Sequence, residues 1–239
     1  SRPMKSVQRT AKIAGALYLV ITVAAIFAHI YIPSQFIVPG NASATSSNIS
    51  SSLTLFRVGA VGGELVVLLS EVVLSVVLYA LMKPVNKTLS MLAAVSRLIM
   101  TTIHGINLLN YFLVMLLLSG SVSLNAFNSE QLQGLVMLFL DAHSIGFTIG
   151  IAFLTLHVFI LGYLIFRSGY FPRILGILFI VAGVGYLVDS FALLLSANYQ
   201  TTPIFISLPI AVAEIAFPIW LLVKGVNRER YQALETEAN

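Results

Sequence analysis

FLDAHSIGFTIGIAFLTLH, Phe139 to His157, lies inside a long apolar run, yet it carries an aspartate and two histidines. The apolar part of that observation decides the fold. A helix rises 1.5 Å per residue, so about 20 apolar residues cross the ~30 Å hydrocarbon core of a bilayer. The ionisable part raises the question of function, because such groups are costly in hydrocarbon. The stretch is read as passing from the membrane interface, at Asp141 and His143, to mid-depth at His157.

The rest of the chain fits the membrane reading. Of 239 residues, 58% are hydrophobic and 9% are charged. A soluble domain carries roughly 25% charged residues. Mean hydropathy is +0.96. The apolar runs are continuous rather than alternating, which argues for helices and against a barrel. The predicted fold is all-α, a polytopic membrane bundle forming a single transmembrane domain. Its six spans are expected at about 12–33, 58–82, 90–118, 145–166, 174–196 and 205–223, with a polar tail over 224–239. The lipid bilayer is the first partner. The net charge of +4 comes from short basic clusters between the runs, so nucleic acid is not expected as a partner. With no cysteine, thiolate chemistry and Cys-ligated metals are excluded.

Lys and Arg set the orientation. Arg2, Lys5, Arg9 and Lys12 precede span one, Lys83 and Lys87 join spans two and three, and Arg167 and Arg173 join spans four and five. Lys224, Arg228 and Arg230 follow span six. All fall on one side if both termini are cytoplasmic, which predicts a multi-pass protein of the cell membrane. Arg57 and Arg97 stand outside the pattern. The first outer loop, SQFIVPGNASATSSNISSS, is Ser/Asn-rich and is expected to be mobile, with N-x-S matches at Asn41 and Asn48. Residues 131–167 would make a helix of roughly 55 Å, too long for one straight span. An outer amphipathic or re-entrant helix up to about Ser144, ahead of span four, is the preferred reading. A single projecting helix is the alternative.

The run LHVFILGYLIFRSGYFPRILGILFIVAGVGYLVDS resembles a prokaryotic membrane family known as domain of unknown function 4386. The matching elements are His157, Gly162, the Arg167-Ser168-Gly169 turn, Pro172-Arg173, Leu175-Gly176 and Gly185-Tyr186 followed by Asp189. The start, RTAKIAGALYLV, resembles the opening of the same family. The resemblance implies a six-helix membrane protein of bacteria or archaea. It implies no activity and assigns no functional residues.

Within the spans, Arg57, Glu64 and Glu71 repeat every seven residues and share a helix face, as do Arg97, His104, Asn107 and Tyr111. Two polar stripes on consecutive helices invite pairing, with Arg97 or His104 as partner for Glu71. Otherwise Arg97 would snorkel to the inner interface. Glu71, His104, His157 and Glu214 are placed near the midplane. Glu64, Asn107, Asn110, Asp141, His143 and Asp189 are placed in the outer half. Glu214 lies between Pro209 and Pro218, where freed backbone carbonyls make a kinked polar pocket.

Three function classes fit. The first is binding or transport of a small solute, cation or proton-coupled ligand, in an acidic, His-containing pocket open to the outer side, with a homodimer compensating for the small bundle. The second is a structural or accessory membrane subunit whose polar groups only lock helices. The third is a membrane-embedded metal-dependent hydrolase. His104, His143, His157 and Asp189 would then hold zinc, the one cofactor the residues suggest. No close histidine pair supports it, and His143 and His157 are about 21 Å apart along a continuous helix. No other cofactor is required by the sequence.

Overall fold

The structure is a computed structural model that describes residues 2–121 and 124–238, with side chains described from residue 6 onward. Arg2 and Lys5 of the N-terminal basic cluster therefore have no described side chains. The part of the second outer loop through Val122 and Ser123 lies outside the described residues.

The described elements are α1 (Arg2–Ile26), α2 (Ile32–Phe36), α3 (Ala42–Ser51), α4 (Leu53–Phe56), α5 (Gly63–Met82), α6 (Lys87–Asn107), α7 (Leu109–Leu117), α8 (Ser129–Ser168), α9 (Arg173–Leu195), α10 (Ile204–Val223) and α11 (Arg228–Ala238). Two π-helical turns, Phe27–Tyr31 and Arg57–Gly62, join α1 to α2 and α4 to α5. Six stretches are long and apolar enough to cross a membrane: Ser6–Phe36, Leu53–Met82, Lys87–Leu117, Ser129–Ser168, Arg173–Leu195 and Ile204–Val223. The protein is thus an all-α polytopic bundle. Their outer faces carry exposed Val23, Leu69, Val76, Leu116, Leu138 and Ile204, as lipid contact requires.

Two expectations change in detail. The segment ahead of span four runs on into the span, Ser129–Ser168 being one α-helix of 40 residues as in the alternative reading. The Ser/Asn-rich loop contains α3. Asn41 caps it by accepting from the Ala44 N–H at 2.9 Å. Thr45 bonds both the N–H and the carbonyl of Val38, and Asn48 donates to the Phe36 carbonyl at 3.2 Å. Ile49 is fully buried. A cap, two polar ties and one apolar anchor hold a segment whose composition alone reads as coil.

The π-turn in the first span has a local cause. Pro33 has no N–H, so the His29 carbonyl loses its usual partner four residues on, and a widened turn absorbs the mismatch. The turn in the second span is Gly-rich, RVGAVG. Adding a Cβ to Gly63 would bring it within 2.9 Å of the Ala28 Cβ, so the two widened segments approach closely because glycine is there.

The chain divides into two compact units: residues Ser1–Leu19, Ser70–Thr101 and Thr148–Asn239 form the first, and Val20–Leu69 with Thr102–Phe147 form the second. In the first unit α9 and α10 pack together, and Tyr18, Phe179 and Phe217 fill the core edge to face. Gly169, at φ 69°, closes α8, and Pro172 precedes α9. The Tyr170 hydroxyl donates to the Leu81 carbonyl at 2.7 Å. In the second unit Ile32, Phe36, Ile49, Phe56, Tyr111 and Leu140 form the core.

The contact between α8 and α9 is backbone on backbone. A Cβ on Gly176 would lie 2.6 Å from the Gly162 carbonyl oxygen and 2.7 Å from the Phe166 nitrogen. Neither atom can move without moving a helix. Gly176→Ala is therefore expected to cost about 1–3 kcal/mol, as overpacking of a rigid contact does. Thermal unfolding of the purified variant in detergent checks this, and an unchanged midpoint would show that the two helices can separate freely.

Candidate functional site

The first unit holds one buried ionic network. Glu71 on α5 and Arg97 on α6 are each 5% exposed. The Arg97 Nε donates to Glu71 Oε2, and Nη2 donates to Oε1 at 3.0 Å, a two-pronged pair. The remaining prong, Nη1, lies 3.0 Å from His157 Nε2 on α8. His157 Nδ1 lies 2.8 Å from the Ala93 carbonyl. A carbonyl only accepts and a guanidinium only donates. Nδ1 therefore carries the proton, Nε2 accepts from Arg97, and His157 is neutral in one fixed tautomer. Tyr18 on α1 offers its ring face, 5.5 Å from the guanidinium carbon. Ser75 bonds the Glu71 carbonyl and Thr101 the Arg97 carbonyl. The cavity beside His157 is about 10 Å³, room for one water at most.

Glu214 stands apart from that network in contact but not in field. It is half-buried on α10, accepts from the Tyr186 hydroxyl at 3.4 Å, and lies within electrostatic range of Arg97 and Glu71. Pro218, four residues on, has no N–H to give the Glu214 carbonyl, as the proline spacing suggested.

The second unit holds a different kind of cluster. Glu64, 5% exposed, opens α5 just after the second π-turn. His143 Nε2 sits 3.1 and 3.2 Å from its two oxygens. His29, within the first π-turn, places Nδ1 3.5 Å from Oε1. Tyr111 stacks on the His143 ring at 3.8 Å and 13°. Asn107 donates to the His143 carbonyl at 2.8 Å, and Asn110 donates to Asn107. Gly146 makes room for that amide, since a Cβ there would collide with it. His104 Nε2 donates to the Phe147 carbonyl at 2.9 Å, and its ring stacks on Phe147 at 4.6 Å. His29 also lies against Phe147, centroids 4.8 Å apart.

The expected residues thus sort into two groups. Glu71 takes Arg97, as the polar stripes suggested, and Arg97 is buried in that pair instead of snorkelling. His157 joins them, whereas His104 belongs to the other unit. Glu64, Asn107, Tyr111 and His143 come together around one carboxylate. Arg57 is exposed, and the ion-pair partners of Glu64 among the described residues are histidines. Asp141 is exposed, two residues before His143 and about 200° round the helix from it. Asp189 accepts from Tyr199 at 2.6 Å and Thr202 at 2.9 Å, tying the loop after α9 to its last turns. Sequence reasoning missed His29 and Phe147. A fourth histidine four residues before Pro33 was the available signal.

The zinc assignment is not met. Among the described residues no three His, Asp or Glu side chains are grouped to hold a metal ion. Each proposed ligand is engaged elsewhere: His104 with Phe147, His143 with Glu64, His157 with Arg97 and Ala93, and Asp189 with Tyr199 and Thr202.

Fold and site together define a class: a six-helix integral membrane protein with charged and imidazole groups buried inside its bundle. The chain belongs to the family described as "Domain of unknown function (DUF4386)", which it matches over residues 13–225. It is 30% identical over 163 residues to an uncharacterised protein of Archaeoglobus fulgidus, covering 68% of this chain and 82% of that one. No solved structure matches it.

The Glu71–Arg97 pair makes a quantitative prediction. Arg97→Leu strands a carboxylate in the interior and is expected to lower stability by about 3–5 kcal/mol. Replacing both partners, Glu71→Leu with Arg97→Leu, should recover most of that loss. Thermal or denaturant unfolding in detergent measures both, and a double variant no more stable than the single one would refute pairing as the cause.

Proposed function

We propose that this protein binds a small cation in exchange for protons, and that the exchange site is Glu64 with His29, His143 and Tyr111. One observation carries the reading: the partners of this buried carboxylate are imidazoles, which can release a proton at neutral pH, whereas Glu71 faces a guanidinium, which cannot. Neutral imidazoles would leave the Glu64 carboxylate without a fixed counter-charge. Its negative form attracts a cation, and the aromatic faces of Tyr111 and Phe147 suit an organic one. Asn107 and Asn110 position the histidine, and His104 lines the same unit. Glu71, His157, Asp189 and Glu214 serve the packing of the first unit, and exposed Asp141 would meet solutes entering the second.

The basic clusters support an orientation with both termini cytoplasmic. Glu64 then opens toward the outer side, and the first turns of α8 stand at the outer face. We take the whole chain as one transmembrane domain, and a homodimer as its transporting form. An accessory, structural role is the second reading, favoured by the fully partnered Glu71–Arg97–His157 network.

Because the sequence has no cysteine, the orientation can be tested with single introduced thiols. Ser50→Cys should react with a membrane-impermeant maleimide on intact cells, and Ala233→Cys only after lysis. The opposite pattern inverts the assignment.

The exchange itself is tested in liposomes enclosing a pH-sensitive dye. Pulses of sodium, potassium, tetramethylammonium and choline are added outside. Wild-type protein should move protons with at least one of them, and Glu64→Gln should lower the rate about ten-fold or more, the scale of losing a charge-assisted contact. If no cation drives proton movement, or the variant matches wild type, the exchange reading fails and the structural one stands.

A further inference from the structure

A groove of about 510 Å³ lies in the first unit, lined by Gln8, Arg9, Lys12, Ile13, Ala16, Leu222 and Arg228. Three of those residues are cations and none is an acid. Among the described residues none of the three cations forms an ion pair, and all three are exposed. Like charges do not gather in this way without cost, so the arrangement is informative only if something builds it.

The structure shows how it is built. The Gln8 amide grips the chain after α10 in both directions: Nε2 donates to the Val226 carbonyl at 2.7 Å, and the Val226 N–H donates to Oε1 at 3.0 Å. Gly225, at φ 67°, lets the chain turn there, where a side chain would strike the Gln8 amide. Gly15 lets α10 settle on α1, since a Cβ would come within 2.7 Å of Leu222. This clamp carries Arg228, the first residue of α11, to the α1 face that presents Arg9 and Lys12.

Below the cations the groove is apolar. Ile13 and Ala16 continue the same α1 face, and Leu222 lies at the end of an α10 stripe with exposed Ile219 and Ile215. A cationic mouth over an apolar cleft between two spanning helices matches one kind of molecule in both parts. We propose that this groove is a binding site for an anionic phospholipid, its headgroup phosphate among Arg9, Lys12 and Arg228 and one acyl chain between α1 and α10. The general chemistry is that of basic pockets at helix ends in anionic leaflets. A soluble polyanion would leave the apolar floor uncovered, and a zwitterionic lipid would leave the three cations unbalanced. The site is independent of the Glu64 cluster, so either assignment can fail alone.

Native mass spectrometry of the purified chain with equimolar phosphatidylglycerol and phosphatidylcholine tests it. Wild type should retain phosphatidylglycerol in clear preference. Arg9→Gln, Lys12→Gln and Arg228→Gln should each lower its retention roughly five-fold, the share one cation contributes near a charged surface. Ala16→Trp, which fills the cleft and leaves every charge in place, should also abolish the preference. Lys83→Gln with Lys87→Gln removes two cations elsewhere and should change retention little. Equal retention of the two lipids by wild type would overturn the proposal. So would equal losses from the Lys83/Lys87 control, or wild-type retention by Ala16→Trp. Thermal stabilisation by inorganic phosphate alone, equal to that by phosphatidylglycerol, would make this a free-anion site and also overturn it.

Discussion

A carboxylate and a guanidinium buried in hydrocarbon must satisfy each other, and the first unit is arranged around that requirement. Placing one such charge at the bilayer centre costs ~2.5–3.5 kcal/mol even on the lenient insertion scales. Glu71 and Arg97 meet the cost by a two-pronged contact, and the third prong of the guanidinium goes to His157. Tyr18 covers its face. The consequence is geometric. Glu71 fixes the rotation of α5, Arg97 that of α6, His157 that of α8 and Tyr18 that of α1. Rotating α5 or α6 by a single residue would strand a charge, and rotating α8 would take the acceptor from a guanidinium N–H, whereas rotating a helix of leucines would only exchange one apolar contact for another. The ionic network specifies the packing that apolar burial in lipid leaves undecided.

The second unit uses the same residue type to a different end. Glu64 is as buried as Glu71, but its neighbours are imidazoles. A fixed cation locks a carboxylate at all physiological pH, while an imidazole makes its balance depend on proton supply. The surrounding chain is also less regular. Two π-turns flank the cluster, and such turns are frequent at functional sites because they re-aim side chains that a regular helix would point elsewhere. Local irregularity and imidazole ion-pair partners thus occur together around Glu64, and neither feature accompanies Glu71.

This contrast explains what the sequence could and could not disclose. The six spans were legible because length and apolarity suffice for them. The seven-residue spacing of Glu64 and Glu71, and of Arg97 and His104, put each pair on one face, and Glu71–Arg97 was one of the two pairings it left open for Glu71. Partner choice beyond that did not follow. Periodicity gives the face of a helix and not the face it meets, so four zinc candidates were collected from residues that the fold sends to separate partners. His29 was hidden for a sharper reason. A π-turn adds a residue to the turn, so a helical wheel drawn through Phe27–Tyr31 points His29 the wrong way. Helix α3 was hidden because one buried isoleucine and three side-chain ties outweigh a composition that looks disordered.

Glu214 shows how much depends on partner geometry and how little on position. It shares the first unit with Arg97 and feels its field, yet the guanidinium has already spent its three prongs on Glu71 and His157. What remains for Glu214 is a phenol, and a helix segment loosened by Pro218 at the carbonyl of the same residue. A phenol donates one hydrogen bond and supplies no charge. Three glutamates in two of the spans therefore sit in three chemical settings: one facing a fixed cation, one facing imidazoles, and one facing a neutral donor. A bundle that only needed to be held together would require the first arrangement alone. Among the described residues the other two carboxylates meet no arginine or lysine within ion-pair distance.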